Sequence, residues 1–199
     1  MIDARLRPWI DPPLNSIARQ LARFPVSANQ ITITGFITGM AAVPLIATQH
    51  ELLALILIAF SRLCDGLDGA LARIKGITDL GGYLDIVLDF IFYSAVVFGF
   101  ALAQPQHAVY GVFLIFSFIG TGASFLAYSI FAAKRKLDTS VRGKKSFYYL
   151  GGLTEGFETI VALGLMCIFP DWFWVIALIF GMMCWITTVT RVTWAWQTL

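Results

Sequence analysis

Six apolar runs joined by short polar connectors govern what this chain can fold into. They cover roughly residues 31–48, 52–73, 82–103, 108–133, 150–169 and 172–194. Each is close to the ~20 residues a helix needs to cross a hydrocarbon core about 30 Å thick. Of the 199 residues, 58% are hydrophobic and only 13% charged, and the mean hydropathy is +0.78. A soluble domain of this size cannot hide that much apolar surface. The sequence therefore predicts an all-α membrane protein with six transmembrane helices. No polar stretch is long enough to form a second unit, so residues 1–199 are expected to be one integral-membrane domain. The three cysteines, Cys64, Cys167 and Cys184, lie in apolar text without CxxC spacing, and they read as small buried hydrophobes.

Charge placement gives the orientation. The connectors TQHE (48–51), QPQH (104–107) and PD (170–171) hold no Lys or Arg, whereas RIKGITDLG (73–81) and KRKLDTSVRGKKS (134–146) hold most of them. Arg5, Arg7, Arg19 and Arg23 precede the first span, and Arg191 lies near the end of the last. Short loops rich in Lys and Arg stay in the cytoplasm. Both termini and the two basic loops are thus expected on the cytosolic side of a bacterial inner membrane. Trp172 and Trp174 on one side, and Tyr148, Tyr149, Trp194 and Trp196 on the other, fit interfacial aromatic belts. The N-terminal MIDARLRPWIDPPLNSIARQLARF is too broken by charge and proline to be a signal peptide. Within it, Leu14, Ile17, Ala18 and Leu21 recur at helical spacing with Arg19 and Arg23 off that stripe, which predicts an amphipathic helix on the cytoplasmic leaflet.

The stretch DGLDGALARIKGITDLGGYLDIVLDF (65–90) sets five aspartates between apolar runs. Asp65 and Asp68 are three apart, and Asp85 and Asp89 are four apart, so each pair shares one helix face. A short loop joins the two helices, which are expected to be antiparallel neighbours with all four carboxylates at similar depth near the cytosolic surface. Four such groups repel one another unless a counter-charge is present. An all-oxygen set without nearby His or Cys suits Mg²⁺ or Mn²⁺ rather than Zn²⁺. Magnesium held by a few carboxylates keeps positions open for phosphate oxygens. The competing structural reading is that the acids form ion pairs, with Arg62, three residues before Asp65, as one partner. Asp79 falls in the loop and reads as a solvated or capping residue. Gly66, Gly69, Gly81 and Gly82 remove bulk beside the acids, and Gly35 and Gly39 read as helix packing.

These residues carry a resemblance. Asp65, Asp68–Gly69, Ala72–Arg73, then Gly81, Asp85 and Asp89 at four-residue steps meet every fixed position of a signature. That signature is D, two residues, DG, two residues, AR, a gap, then G, D and D, and it resembles that of the CDP-alcohol phosphatidyltransferase family. The resemblance implies an enzyme that transfers a phosphatidyl group from CDP-diacylglycerol to a small alcohol, phosphorylated or unphosphorylated, releasing CMP in phospholipid biosynthesis. It implies that Asp65, Asp68 and Asp85 hold a metal gripping the diphosphate. It further implies that Asp85 and Asp89 serve a second metal site and that Asp89 is the general base on the alcohol. The resemblance also implies that Gly69, Ala72 and Arg73 lie against the CDP portion. SANQIT (27–32) resembles the family's PN-x-IT stretch before the first span, with Ala28 in place of proline, and implies Asn29 and Thr32 as further CDP contacts. Ser27 can equally be a helix N-cap. A homodimer is implied as well, and no nucleic-acid partner is expected.

For the acceptor, basic residues are natural phosphate holders. Arg135, Arg142 and Arg191 are candidates, although such residues also satisfy the positive-inside rule. Glu158, with Glu155, is placed to hydrogen-bond alcohol hydroxyls. LDIVLDF lacks the LDPxADK form associated with phosphatidylglycerophosphate synthases. His50 and His107 fall in the far-side connectors. A transporter or channel with an acidic path is the alternative, but it needs polar residues at mid-membrane and beyond, where these spans are apolar. A purely structural membrane subunit would not need the matched signature.

Overall fold

The computed structural model describes residues 2–135 and 152–199, with the side chains of the first helix described from Pro8 onward. Within those residues the chain is helical and has no strand. The helices are α1 (Ile2–Leu21), α2 (Ala28–Met40), α3 (Ala42–Ala47), α4 (Glu51–Lys75), α5 (Asp79–Ala103), α6 (Ala108–Lys134), α7 (Gly156–Ile168) and α8 (Phe173–Thr198). Short 3-10 turns at Pro105–His107 and Pro170–Trp172 lead into α6 and α8. Large apolar side chains such as Ile37, Ile56, Ile119 and Ile130 are exposed along the helices. That pattern suits lipid as the surrounding solvent.

The first predicted span is two helices. Pro44 lacks an N–H and its ring opposes the carbonyl four residues earlier, so the chain breaks at Ala41 and restarts as α3. Ser27 caps α2: its hydroxyl accepts from Gln30 N, and the Gln30 side chain accepts from Ser27 N, at 3.2 and 2.9 Å. The predicted fifth span is shorter than expected. Its helix starts at Gly156 and has 13 residues, about 20 Å long, too short to cross a bilayer core alone. The segment before it is tied down by polar contacts. Thr154 N and Oγ1 reach Thr187 Oγ1 at 3.2 and 3.0 Å, and Glu155 N donates to Glu158 Oε2 at 3.1 Å. Residues 150 and 151 of that predicted span lie outside the described residues, as do Tyr148 and Tyr149.

The two acid-bearing helices are not the close neighbours expected. Helix α2 packs against both α4 and α5, whose backbones scarcely approach one another. A gap remains between α4 and α5 where the aspartates face each other. Gly35 and Gly39 allow this wedge. A Cβ on Gly35 would lie 2.6 Å from Cys64 Cβ, and one on Gly39 would lie 2.7 Å from both Phe92 Cε2 and Ser61 Oγ. Overpacking of this kind destabilises by about 1–3 kcal/mol. The Gly39→Ala variant is expected to lower the thermal unfolding midpoint in detergent, and an unchanged midpoint would show that α2 is not held at this contact.

Helix α1 does not simply lie on a membrane surface. Leu14 and Ala18 are buried against Leu67, Ala70 and Leu71 of α4, while Trp9 and Ile17 on other faces are exposed. Lys75 Nζ donates to the carbonyls of Phe24 and Val26 at 2.7 and 2.8 Å, fastening the α1–α2 connector to the end of α4. Elsewhere, Phe92, Phe100, Leu114, Leu163, Met166 and Phe173 centre the core, with Phe100 and Phe173 stacked at 5.2 Å. All three cysteines are free and buried, as the sequence predicted.

Candidate functional site

The site is built from the facing ends of α2, α4 and α5. Helix α4 ends at Gly76, whose φ of 117° lies in a region that favours glycine. Three residues later α5 begins, capped by Thr78, whose hydroxyl accepts from Gly81 N at 3.1 Å. Thr78 thus takes the capping role considered for Asp79, which is exposed in the first turn. This tight return sets the register that brings Asp85 opposite Asp65 and Asp68. Carboxylate oxygens of these three residues lie within 4.8 Å of one another. They form the wall of a pocket together with Thr32, Phe36, Ser61, Arg62, Leu88 and Asp89.

Burial is uneven across the three. Asp68 is 5% exposed, and its Oδ2 is buried without a hydrogen-bond partner among the described residues. The Thr32 hydroxyl lies beside the same carboxylate. A buried carboxylate oxygen left without a donor is costly, and a divalent cation removes that cost. Hard oxygen ligands from three carboxylates fit Mg²⁺ or Mn²⁺, so the donor set matches the metal that the sequence implied.

Asp89 lies in the same pocket but in another bonding state. Its Oδ1 accepts from Arg62 Nη1 at 2.6 Å and its Oδ2 from Tyr93 Oη at 3.1 Å. Arg62 lies 3.7 Å from Asp65, so the ion pair considered from sequence exists, yet the closer partner is Asp89. Tyr93 was not anticipated. It stands four residues after Asp89, the same spacing that pairs Asp85 with Asp89, and that spacing was the available signal.

The remaining predicted residues divide clearly. Thr32 lines the pocket, while Asn29 is turned toward the start of α5, its Oδ1 3.1 Å from where a Gly81 Cβ would lie. A Cβ on Gly69 would meet only Arg73 Nη1, at 3.7 Å, so the protein's own packing does not require glycine there. Gly66, by contrast, faces Leu14 of α1. Ala72 is half-buried and Arg73 exposed, both one turn nearer the helix end. Arg135 donates to the terminal carbonyls of Thr198 and Leu199. Arg191 is buried, with Nη1 on the Thr121 carbonyl at 2.9 Å and its guanidinium 5.6 Å from the Phe125 ring centre. Glu158 accepts from Glu155 N. None of these last three lines the aspartate pocket. Arg142 lies outside the described residues.

Fold and site together define a polytopic helical membrane protein with an acid-lined pocket between three helices. The chain belongs to the CDP-alcohol phosphatidyltransferase family, whose sequence profile matches residues 25–193. It is 51% identical over 200 aligned positions to the inner membrane protein YnjF of Escherichia coli (strain K12), covering 100% of this chain and 97% of that one. It is 37% identical over 100 positions to archaetidylinositol phosphate synthase of Pyrococcus horikoshii, covering 50% and 53% of the two chains. The fold resembles that of phosphatidylinositol phosphate synthase from Mycobacterium tuberculosis with CDP-DAG bound, with a TM-score of 0.71, 22% identity, and 90% and 92% of the chains covered. The same protein in complex with manganese and citrate gives a TM-score of 0.70 at 23% identity, covering 92% and 88%.

Proposed function

We propose that this protein transfers the phosphatidyl group of CDP-diacylglycerol to a small alcohol and releases CMP. The observation that carries this reading is the Asp65–Asp68–Asp85 cluster, with its buried, unpartnered Asp68 oxygen, set one helical turn from Asp89. Those three residues would hold a divalent cation, which when bound neutralises diphosphate oxygens and makes phosphorus more electrophilic. The open face at Gly69 lets the nucleotide side of the substrate approach the backbone, with Thr32, Asn29 and Arg73 around it. The acyl chains stay in lipid while the charged middle of the substrate sits at the helix ends. Asp89 takes the hydroxyl proton of the alcohol. The alcohol oxygen then forms a bond to the phosphorus that carries diacylglycerol, and the bond to CMP breaks, so that CMP leaves with the electron pair.

The acceptor belongs to the small polyol or polyol-phosphate class, which the names of the inositol phosphate synthases among the relatives support. Arg191 is retained as an acceptor-side candidate. Arg135 and Glu158 are weaker ones, because their polar groups are spent on helix termini. Likeness to a protein named for the inner membrane supports a location in that membrane, and the Lys/Arg-rich connectors support a site on its cytosolic face.

The test is CMP release from CDP-diacylglycerol by the purified protein with Mg²⁺ or Mn²⁺. The acceptor panel includes inositol phosphate, glycerol 3-phosphate and unphosphorylated polyols. Release that depends on one acceptor names the product. No release with any acceptor from folded protein would overturn the proposal.

A further inference from the structure

Arg62 is outside the family signature, yet its guanidinium reaches Asp89, Tyr93 and Ser61 in the pocket. It lies one turn before Asp65 on α4, and Asp89 lies one turn after Asp85 on α5. The Arg62–Asp89 pair is therefore one layer deeper than the three-carboxylate cluster. Resting on the function proposed above, we infer that the Arg62 guanidinium is a built-in cation. It fills the place beside Asp89 that a second metal would need, so that this protein loads one divalent cation per chain rather than two.

Three features support this. Both Asp89 oxygens are already engaged, Oδ1 by Arg62 Nη1 at 2.6 Å and Oδ2 by Tyr93 Oη at 3.1 Å. A metal bound to Asp89 would have to share that carboxylate with a charged guanidinium already at hydrogen-bond distance. Second, Arg62 is fixed. Its side chain is 10% exposed, Nη2 donates to Ser61 Oγ at 3.2 Å, and the guanidinium carbon lies 4.4 Å from the Phe92 ring centre. The planar fork and the aromatic face suit one another. Third, an arginine stays charged. A second divalent ion brought beside it would meet repulsion at short range in a poorly solvated place. Asp65, 3.7 Å from Nη1, links the two layers through the same guanidinium that holds Asp89.

The test counts ions instead of turnover. Mn²⁺ is titrated into the detergent-solubilised full chain and followed by calorimetry and electron paramagnetic resonance, with and without CDP-diacylglycerol in the micelle. One ion per chain is expected in both conditions, with the spectrum of an isolated Mn²⁺. In Arg62→Met, which removes the charge and frees Asp89, the expected number rises to two. Two ions in the unaltered protein, or a spectrum of two coupled Mn²⁺ ions, would overturn the inference while leaving the proposed function standing. One ion in both the unaltered protein and Arg62→Met would also overturn it, because Asp89 would then have no metal affinity for Arg62 to block. No bound ion in the unaltered protein would instead count against the metal cluster of the proposed function. The resonance spectrum of the unaltered protein decides the matter even where Arg62→Met does not fold.

Discussion

Replacing Asp68 by asparagine is expected to cut CMP release by about 1,000-fold or more without lowering the thermal unfolding temperature. A factor of 1,000 is about 4 kcal/mol of transition-state stabilisation, a reasonable loss for one of three carboxylates holding a diphosphate through a metal. The stability side follows from burial. Asp68 is 5% exposed, with Oδ2 unpartnered, so in metal-free protein its charge opposes folding. Asparagine keeps the shape and removes the charge. Metal-free Asp68→Asn is therefore expected to unfold at the same or a higher temperature than the parent, while the stabilisation conferred by added Mn²⁺ disappears, because an ion that binds only the folded state raises its stability. Paired CMP-release and unfolding measurements check this. Activity within tenfold of the parent would show that Asp68 carries no ligand.

The sequence made the outline of this site readable because helical spacing is rigid. Asp65 and Asp68, three apart, and Asp85, a short loop later, had to share a layer once α4 and α5 were helices. The connectors with and without Lys or Arg separated the two ends of the bundle on basic charge alone. Two things were hidden. The first was the wedge: no local signal says that α2, separated from α5 by two helices in the chain, packs against both α4 and α5, since that depends on how Gly35 and Gly39 meet Cys64, Ser61 and Phe92. The second was the split among the aspartates. Arg62 was visible as a partner three residues from Asp65, but its choice of Asp89 depends on a contact across 27 residues. Arg135 and Arg191 illustrate the same limit. Basic residues near one face look alike in sequence, and only packing shows Arg135 on the C-terminal carbonyls and Arg191 buried against Thr121 and Phe125.

The Asp89→Asn variant is expected to lose transfer by about 100- to 10,000-fold, the range for removing a general base, while still binding CDP-diacylglycerol within a few-fold of the parent. Here stability moves the other way from Asp68→Asn. Asp89 is the nearest anion to a guanidinium that is 10% exposed, and its loss leaves Asp65, at 3.7 Å, as the nearer of the remaining charges identified around it. A charged hydrogen bond of this kind contributes about 1.5–3 kcal/mol, so the unfolding temperature should fall. Asparagine still offers one oxygen to Arg62, which places the loss at the lower end. The two aspartates are thus separable by sign. One opposes folding until a ligand arrives, and the other is stabilised by the protein before any ligand binds. Retained transfer in Asp89→Asn would place the base elsewhere and leave Asp89 as the partner of Arg62 alone. Lost transfer with unaltered lipid binding and lowered stability would mean that one carboxylate both anchors α4 to α5 and receives the proton.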